Sequence, residues 1–223
     1  MLKKEPIIEK LILKELNRLD NNLKGRGFRG DDNEAPVVGQ DYHNADLRGV
    51  DWVGCNLTGC NLLDADLGSA DLEYVYGTGV IFEGAKMEQT NLRGAHLPGA
   101  NFRVSTLKQA ILVGINLQEA TFLMADIRRA NAKDANFQGA IFGGANLQAA
   151  YLSEANLEDA EFPGANLQYT KLANAYLVNT DLIGAKNLTI NQLSEVKTLY
   201  NASLDDELLV PLKEKYPNLF KKP

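Results

Sequence analysis

The hydrophobic pattern of this chain repeats every five residues. Taking every fifth position from Leu47 to Leu182 gives 28 residues: 17 Leu, 6 Phe, and Trp52, Gly77, Met87, Ile127 and Ala132. Two residues before each of these lies a small one, Ala in 18 of the 28 cases and otherwise Val, Thr, Cys, Ser or Ile. The residue between the two is Asp or Asn in 16 cases, and the second residue after the centre is Gly in 12. A period of five is neither the 3.6 of a helix nor the 2 of a strand. One large and one small inward residue per five describe a short bridge followed by a tight turn. Gly, Asn and Asp suit that turn because they tolerate positive φ or bond their own backbone. The pattern predicts a chain that coils, with successive coils joined as parallel β-bridges.

The phenylalanines give the number of sides. Phe82, Phe102, Phe122, Phe142 and Phe162 recur at every fourth repeat; Phe137 is out of that register. A coil of four repeats, and so of four sides, stacks these five rings in one core column, where aromatic neighbours gain packing. Twenty-eight repeats then make about seven coils, a rod of about 34 Å at ~4.8 Å per bridged strand.

Segments such as ADLRG (45–49), ANFQG (135–139), ANLQA (145–149) and ANLED (155–159) match A(D/N)LXX, and residues 45–184 thereby resemble the pentapeptide repeat family. The resemblance implies an all-β solenoid, a right-handed quadrilateral β-helix. Members of that family serve mostly as binding scaffolds, and some protect DNA gyrase from quinolones by imitating DNA.

A stack of coils leaves unpaired backbone at both ends. Residues 1–23 are expected to form an N-terminal capping helix: Pro6 suits a first turn, and Ile8, Ile12, Leu16, Leu19 and Leu23 make one apolar face. Residues 24–44 read as a linker into the first coil, with Ala35 and Val37 already on the repeat's phase. Beyond Gly184 the pattern stops. Thr189 with Gln192 reads as a capping box opening a helix over 190–198, and Ser203 with Asp206 opens another over about 204–215 that contains Pro211. Residues 185–223 are therefore expected to form a helical C-terminal cap.

Composition narrows the chemistry. The only cysteines, Cys55 and Cys60, sit in the small-residue column, where cysteine acts as a small apolar side chain. Two are too few for a disulfide framework, their places on different sides of the coil argue against a bond between them, and zinc would need four ligands. His96 holds an Asp/Asn position, a surface turn. No phosphate loop and no nucleophile–base pair is visible, so no catalysis and no cofactor or metal is expected. No run of 18 apolar residues is present, and residues 1–20 lack the features of a signal peptide, which together predict a cytoplasmic protein that contacts no membrane.

Charge and surface sort by the four-repeat period into four faces, named here by their first central residue. The Leu47 face carries Arg48, Lys86, Lys108, Arg128 and Arg129 against Asp46, Asp66, Glu88 and Asp126. The Trp52 face has five acids and three bases; the Leu57 face has Glu119, Glu158 and Asp159 and neither Lys nor Arg. The Leu62 face, over the phenylalanine column, has four acids and only Arg103, and places Leu63, Ile81, Val104, Leu123, Met124, Ile141 and Ile183 outward. Residues 45–184 hold 16 acids and 9 bases, a net −7. That balance disfavours direct nucleic-acid binding and is thin for a DNA mimic, which needs a dense surface of one sign. The expected function is a non-enzymatic scaffold, monomeric or weakly dimeric, that binds another protein, with Val104, Leu123, Met124 and Ile141 as the candidate interface; a DNA-mimicking modulator of gyrase or a topoisomerase is the alternative.

Overall fold

The computed structural model describes residues 35–223. The expected N-terminal helix (1–23) and most of the linker lie outside the described residues.

From Asp41 to Lys186 the backbone pairs with itself at a constant separation of four repeats, through parallel bridges such as Asp41↔Asn61, Asn61↔Ile81 and Ile81↔Asn101. A bridge recurs at every repeat, so each coil has four sides. The Leu62 amide donates to the Ile81 carbonyl at 2.7 Å, and the Ile81 amide donates to the Cys60 carbonyl at 3.0 Å. Between bridges the chain turns. The Ala65 amide donates to the Leu62 carbonyl at 3.1 Å, and every fifth residue from Gly39 to Gly184 has positive φ. Positive φ at the second central residue alone is the mark of a type II turn. Glycine adopts it without cost, which accounts for its frequency there.

The Asp/Asn column brackets these turns. The side-chain oxygen of Asn61 accepts from the Leu63 amide at 3.2 Å, and its Nδ2 donates to Asp41 Oδ1 one coil below at 2.9 Å. Asn91 and Asn156 make the same step to Asp71 and Asn136 on other sides of the coil.

Inside, the two apolar columns form one continuous core. Phe82, Phe102, Phe122, Phe142 and Phe162 stack with centroids 4.8–4.9 Å apart and planes within 10°. Phe137, on the next side, meets Phe122 and Phe142 edge-on at 5.8 and 5.3 Å. Its volume is offset in the same coil by Ala132, which stands where five other coils carry leucine and the first carries Trp52. Gly77, the other gap in the central column, has a different cause: a Cβ there would lie 2.6 Å from the Thr58 amide nitrogen and 2.8 Å from the Leu57 carbonyl carbon. The backbone of the coil below leaves no room for any side chain.

Threonines in the small column share one repeated bond, whereas the Ser105 hydroxyl donates to the Phe102 carbonyl at 2.8 Å. The hydroxyls of Thr90, Thr170 and Thr180 each donate to the carbonyl 23 residues earlier (Leu67, Leu147 and Leu157) at 2.8 Å. Cys60 does the same: its Sγ lies 3.3 Å from the Val37 carbonyl, also 23 residues earlier.

After Lys186 the coil widens. Tyr176 pairs with Thr198 and Asp181 with Ser203, two positions beyond the regular four-repeat step. The extra length is taken up by a helix, Ile190–Ser194, in place of one side. Thr189 and Gln192 form its capping box, and Gln192 Nε2 also donates to the Leu167 and Thr170 carbonyls of the coil below. This helix ends before the expected 198 because the ladder reclaims the backbone: the Asn174 amide donates to the Glu195 carbonyl, and the Lys197 amide to that of Ala175. A second helix, Asp206–Lys215, contains Pro211 as expected, but its N-cap is Asp205, not Ser203. Ser203 is held in a bridge to Asp181, and the Asp205 carboxylate accepts from the Gly184 amide at 3.1 Å. Leu212 is buried, and Tyr216, Leu219 and Phe220 pack against the core, with the Leu199 amide donating to the Leu219 carbonyl at 2.7 Å.

Candidate interaction face

Part of the surface charge is paired, in several places between neighbouring coils. Arg93 meets Glu73 at 3.8 Å, Arg103 meets Glu83 at 3.7 Å, and Lys133 meets Glu154 at 3.2 Å. On the Leu47 face, Arg128 grips Asp126 through Nε and Nη2 (2.8 and 2.7 Å), with Lys108 at 3.4 Å. Arg48 holds Asp46 in the same bidentate way and pulls its carboxyl down to about 2. Such exposed pairs add little stability, but they cancel each other's field at a distance.

The Leu62 face carries one such pair, Arg103 with Glu83, and beyond it changes character. Its outer turn columns run Arg103–Val104, Leu123–Met124, Gly143–Gly144, Pro163–Gly164 and Ile183–Gly184 in successive coils. After Arg103 no charged side chain occurs in these two columns. Val104, Met124 and Ile183 are exposed, at 57%, 67% and 47%. Leu123 and Ile141, placed outward by their positions in the repeat, are half-buried. Leu123 leans over Gly143 and Met124 over Gly144: their Cδ2 and Sδ atoms lie 2.7 and 2.5 Å from where Cβ atoms would sit on those glycines. Pro163 and the two glycines were not legible as part of the patch, since what they contribute is a low floor rather than apolar bulk.

Backbone strain accompanies the patch. Val104 has φ 56° and Met124 φ 60°. A β-branched residue in the left-handed region is uncommon and costs about 1–2 kcal/mol. Strain of this kind gathers at functional positions.

Other sites are weaker. Cys55 and Cys60 are both free thiols. Burial, with help from Asp51, pushes Cys55 up to about 11, and burial raises Cys60 as well. His96 makes a bond through Nδ1 to Asn116 Nδ2 at 3.0 Å, within the surface ladder. Among the described residues no three His, Cys, Asp or Glu side chains come together as metal ligands would, and no helix is long and apolar enough to cross a membrane. Where the helix Ile190–Ser194 replaces a side, a cleft of about 470 Å³ opens between Gln168–Lys171 and Asn187–Glu195. It follows from the two-residue insertion and lies away from the apolar face.

A family model described as Pentapeptide repeats matches the chain in 8 copies, over residues 43–73, 78–112, 95–132, 133–168 and 160–189. A comparison with curated proteins returns no match. Among solved structures, the chain is similar to a trypsin-treated form of QnrB1, a plasmid-mediated fluoroquinolone resistance protein, at 17% identity over 82% of this chain and 92% of that one, with a TM-score of 0.45. It is similar to HetL, a pentapeptide repeat protein involved in heterocyst differentiation regulation from the cyanobacterium Nostoc sp. strain PCC 7120, at 20% identity over 82% and 92%, with a TM-score of 0.25. Rfr23 from the cyanobacterium Cyanothece 51142 is 29% identical over 52% of this chain and 63% of that one, with a TM-score of 0.20.

Proposed function

The chain belongs to the pentapeptide repeat family, and from that premise we propose that it is a non-enzymatic, protein-binding scaffold: a rod of about seven regular coils, capped at its ends, that engages another protein through the Leu62 face. The observation that carries the reading is the run of Val104, Leu123, Met124, Pro163 and Ile183 in four of five successive coils, the fifth carrying Gly143–Gly144, with no charge in their two columns beyond Arg103. Single exposed apolar residues are ordinary; a contiguous strip on a surface otherwise laced with ion pairs is a candidate interface. The strain at Val104 supports it, because the other repeats place glycine or a residue unbranched at Cβ there and Val104 is the one β-branched residue in that column. The cleft beside residues 168–171 is lined by Tyr169, Lys171, Glu195 and side-chain amides rather than by a nucleophile and its base, which fits a binding role.

DNA mimicry is the second reading, favoured by the net −7 of residues 45–184. The pairing of Glu73, Glu83, Asp126 and Glu154 with bases in adjacent coils weakens it, since a mimic needs unpaired charge of one sign. The test uses the Val104→Ser/Met124→Ser double variant, both positions being exposed. A partner retained from the source cell by the wild type and released by the variant, at equal thermal stability, is the expected outcome. Equal retention by both proteins, or inhibition of purified gyrase in a supercoiling assay that the variant leaves unchanged, overturns it in favour of another face.

A further inference from the structure

We propose that a second copy of this chain is one partner of the Leu62 face: two rods pair antiparallel, face to face, about a two-fold axis through Gly143. This rests on the reading of that face as an interaction surface and names an occupant for it.

The relief of the face is self-complementary. Its five rows are Arg103–Val104, Leu123–Met124, Gly143–Gly144, Pro163–Gly164 and Ile183–Gly184. Reversal about the middle row brings the bulky second row onto the low fourth row, and the fourth onto the second. Arg103 and Val104 fall on Ile183 and Gly184. The middle row meets itself, and with only glycine there the two backbones can approach closely. Met124, which leans over Gly144, fills one half of that hollow and its symmetry mate fills the other. An isologous contact requires just this matching of one patch with its own reverse.

Charge points the same way. Arg103 is the one basic residue of the face, half-exposed and held to Glu83 only at 3.7 Å. Asp181 lies four coils further on, bonded to the Ile183 amide. Reversal sets each Arg103 beside the partner's Asp181. Exposed Glu161 falls opposite Thr121, so none of these five rows meets a like charge; one row outward Glu83 comes to Asp205, each already bonded within its own copy, to Arg103 and to the Gly184 amide. A parallel pairing would set Arg103 against Arg103 and Met124 against Met124.

The contact is small. Four coil steps span about 19 Å, and a side of about three extended residues is ~10 Å wide. That is a few hundred Å² per copy, well short of the roughly 800 Å² per partner of a stable complex. Association is therefore weak, with a dissociation constant on the order of 0.1–1 mM, and a better-fitting partner displaces it.

The experiment is sedimentation equilibrium of the full chain from about 10 μM to about 1 mM, a range that brackets such a constant. Wild type is expected to show a monomer–dimer equilibrium, and Met124→Lys, at an exposed position, to weaken it at least about tenfold by placing two like charges near the axis. Arg103→Glu and Asp181→Arg are each expected to weaken it. An equimolar mixture of these two single variants is expected to recover association, because both contacts of the mixed pair are then of opposite sign. A chain monomeric at the highest concentration, association untouched by Met124→Lys, or single variants that fail to complement each overturns the antiparallel pair. If a cellular partner is still lost on changing Val104 and Met124, the homodimer fails alone; if not, the face itself is the wrong one.

Discussion

The rings of Phe122 and Phe142 lie 4.9 Å apart and within 5° of parallel, one coil spacing apart along the rod. Phe122 also meets Phe102 and the edge of Phe137, and has no exposed surface. Phe122→Ala should therefore cost about 3–5 kcal/mol, as aromatic truncation in well-packed cores does. Denaturant unfolding measures it. A loss under about 1 kcal/mol would mean that the column collapses around the cavity instead of retaining it.

Val104→Gly should act in two directions. Relief of the left-handed valine should stabilise the rod, by roughly 0.5–1 kcal/mol once the greater freedom of unfolded glycine is subtracted. Removal of an exposed apolar side chain should at the same time weaken whatever binds the Leu62 face. A variant that is destabilised would show that valine's contacts outweigh its strain.

Cys60→Thr should match or exceed wild type in stability, because a hydroxyl at this place repeats the bond that Thr90, Thr170 and Thr180 make. Cys60→Ala should lose about 1 kcal/mol, from the lost sulfur packing and the lost second bond to the Val37 carbonyl, which still accepts from the Gln40 amide. Equal stability of the alanine and threonine variants would show that the thiol's bond contributes nothing.

Asp126 gives a pH dependence. Burial acts to raise its carboxyl, but bonds from the Arg128 side chain and backbone and the charges of Arg128 and Lys108 outweigh this and hold it below the usual range. Its contribution is then fully present above the unfolded value of about 3.9 and is lost as pH falls through the lower folded one. Asp126→Asn should be less stable than wild type at pH 7 and converge with it as pH falls through the lowered folded value of the carboxyl. A gap that persists in acid would assign the effect to packing.

The start of the described coil bears on residues 1–23. Val37 is 62% exposed and Val38 54%, beside half-buried Tyr42 and Leu47. If residues 1–23 cover this rim, their deletion should promote self-association, visible as a concentration-dependent shift in light scattering. A truncated chain that stays monomeric and equally stable would remove the capping role.

Most of the coil was legible because its signal is repeated. A five-residue period with large and small inward columns leaves one four-sided solution once Phe82 to Phe162 set the register, and the same columns place Cys55 and Cys60 as wall residues. The ends carry no repetition, so local signals had to decide. Thr189 and Gln192 cap a helix as their spacing suggests, whereas Ser203 is drawn into the ladder and Asp205 takes its place. At the face, pattern alone could not tell which outward residues stand clear. Leu123 and Met124 are adjacent in the sequence and both lean over a glycine of the next coil, yet Leu123 is half-buried and Met124 stays exposed. Both can lean only because the next coil carries no side chain at either place.

The constant four-repeat step between paired backbones has a consequence for how such a chain tolerates change in length. A deletion or duplication of a single repeat keeps every inward column filled, so the rod still folds, but everything beyond the lesion is carried round by a quarter turn. Val104 and Met124 would then look out over one side while Pro163 and Ile183 looked out over the next. Only an alteration of a whole coil leaves the sides aligned, and even that moves Arg103 one step nearer to Asp181 or further from it. For this molecule the unit of folding is the repeat and the unit of surface is the coil.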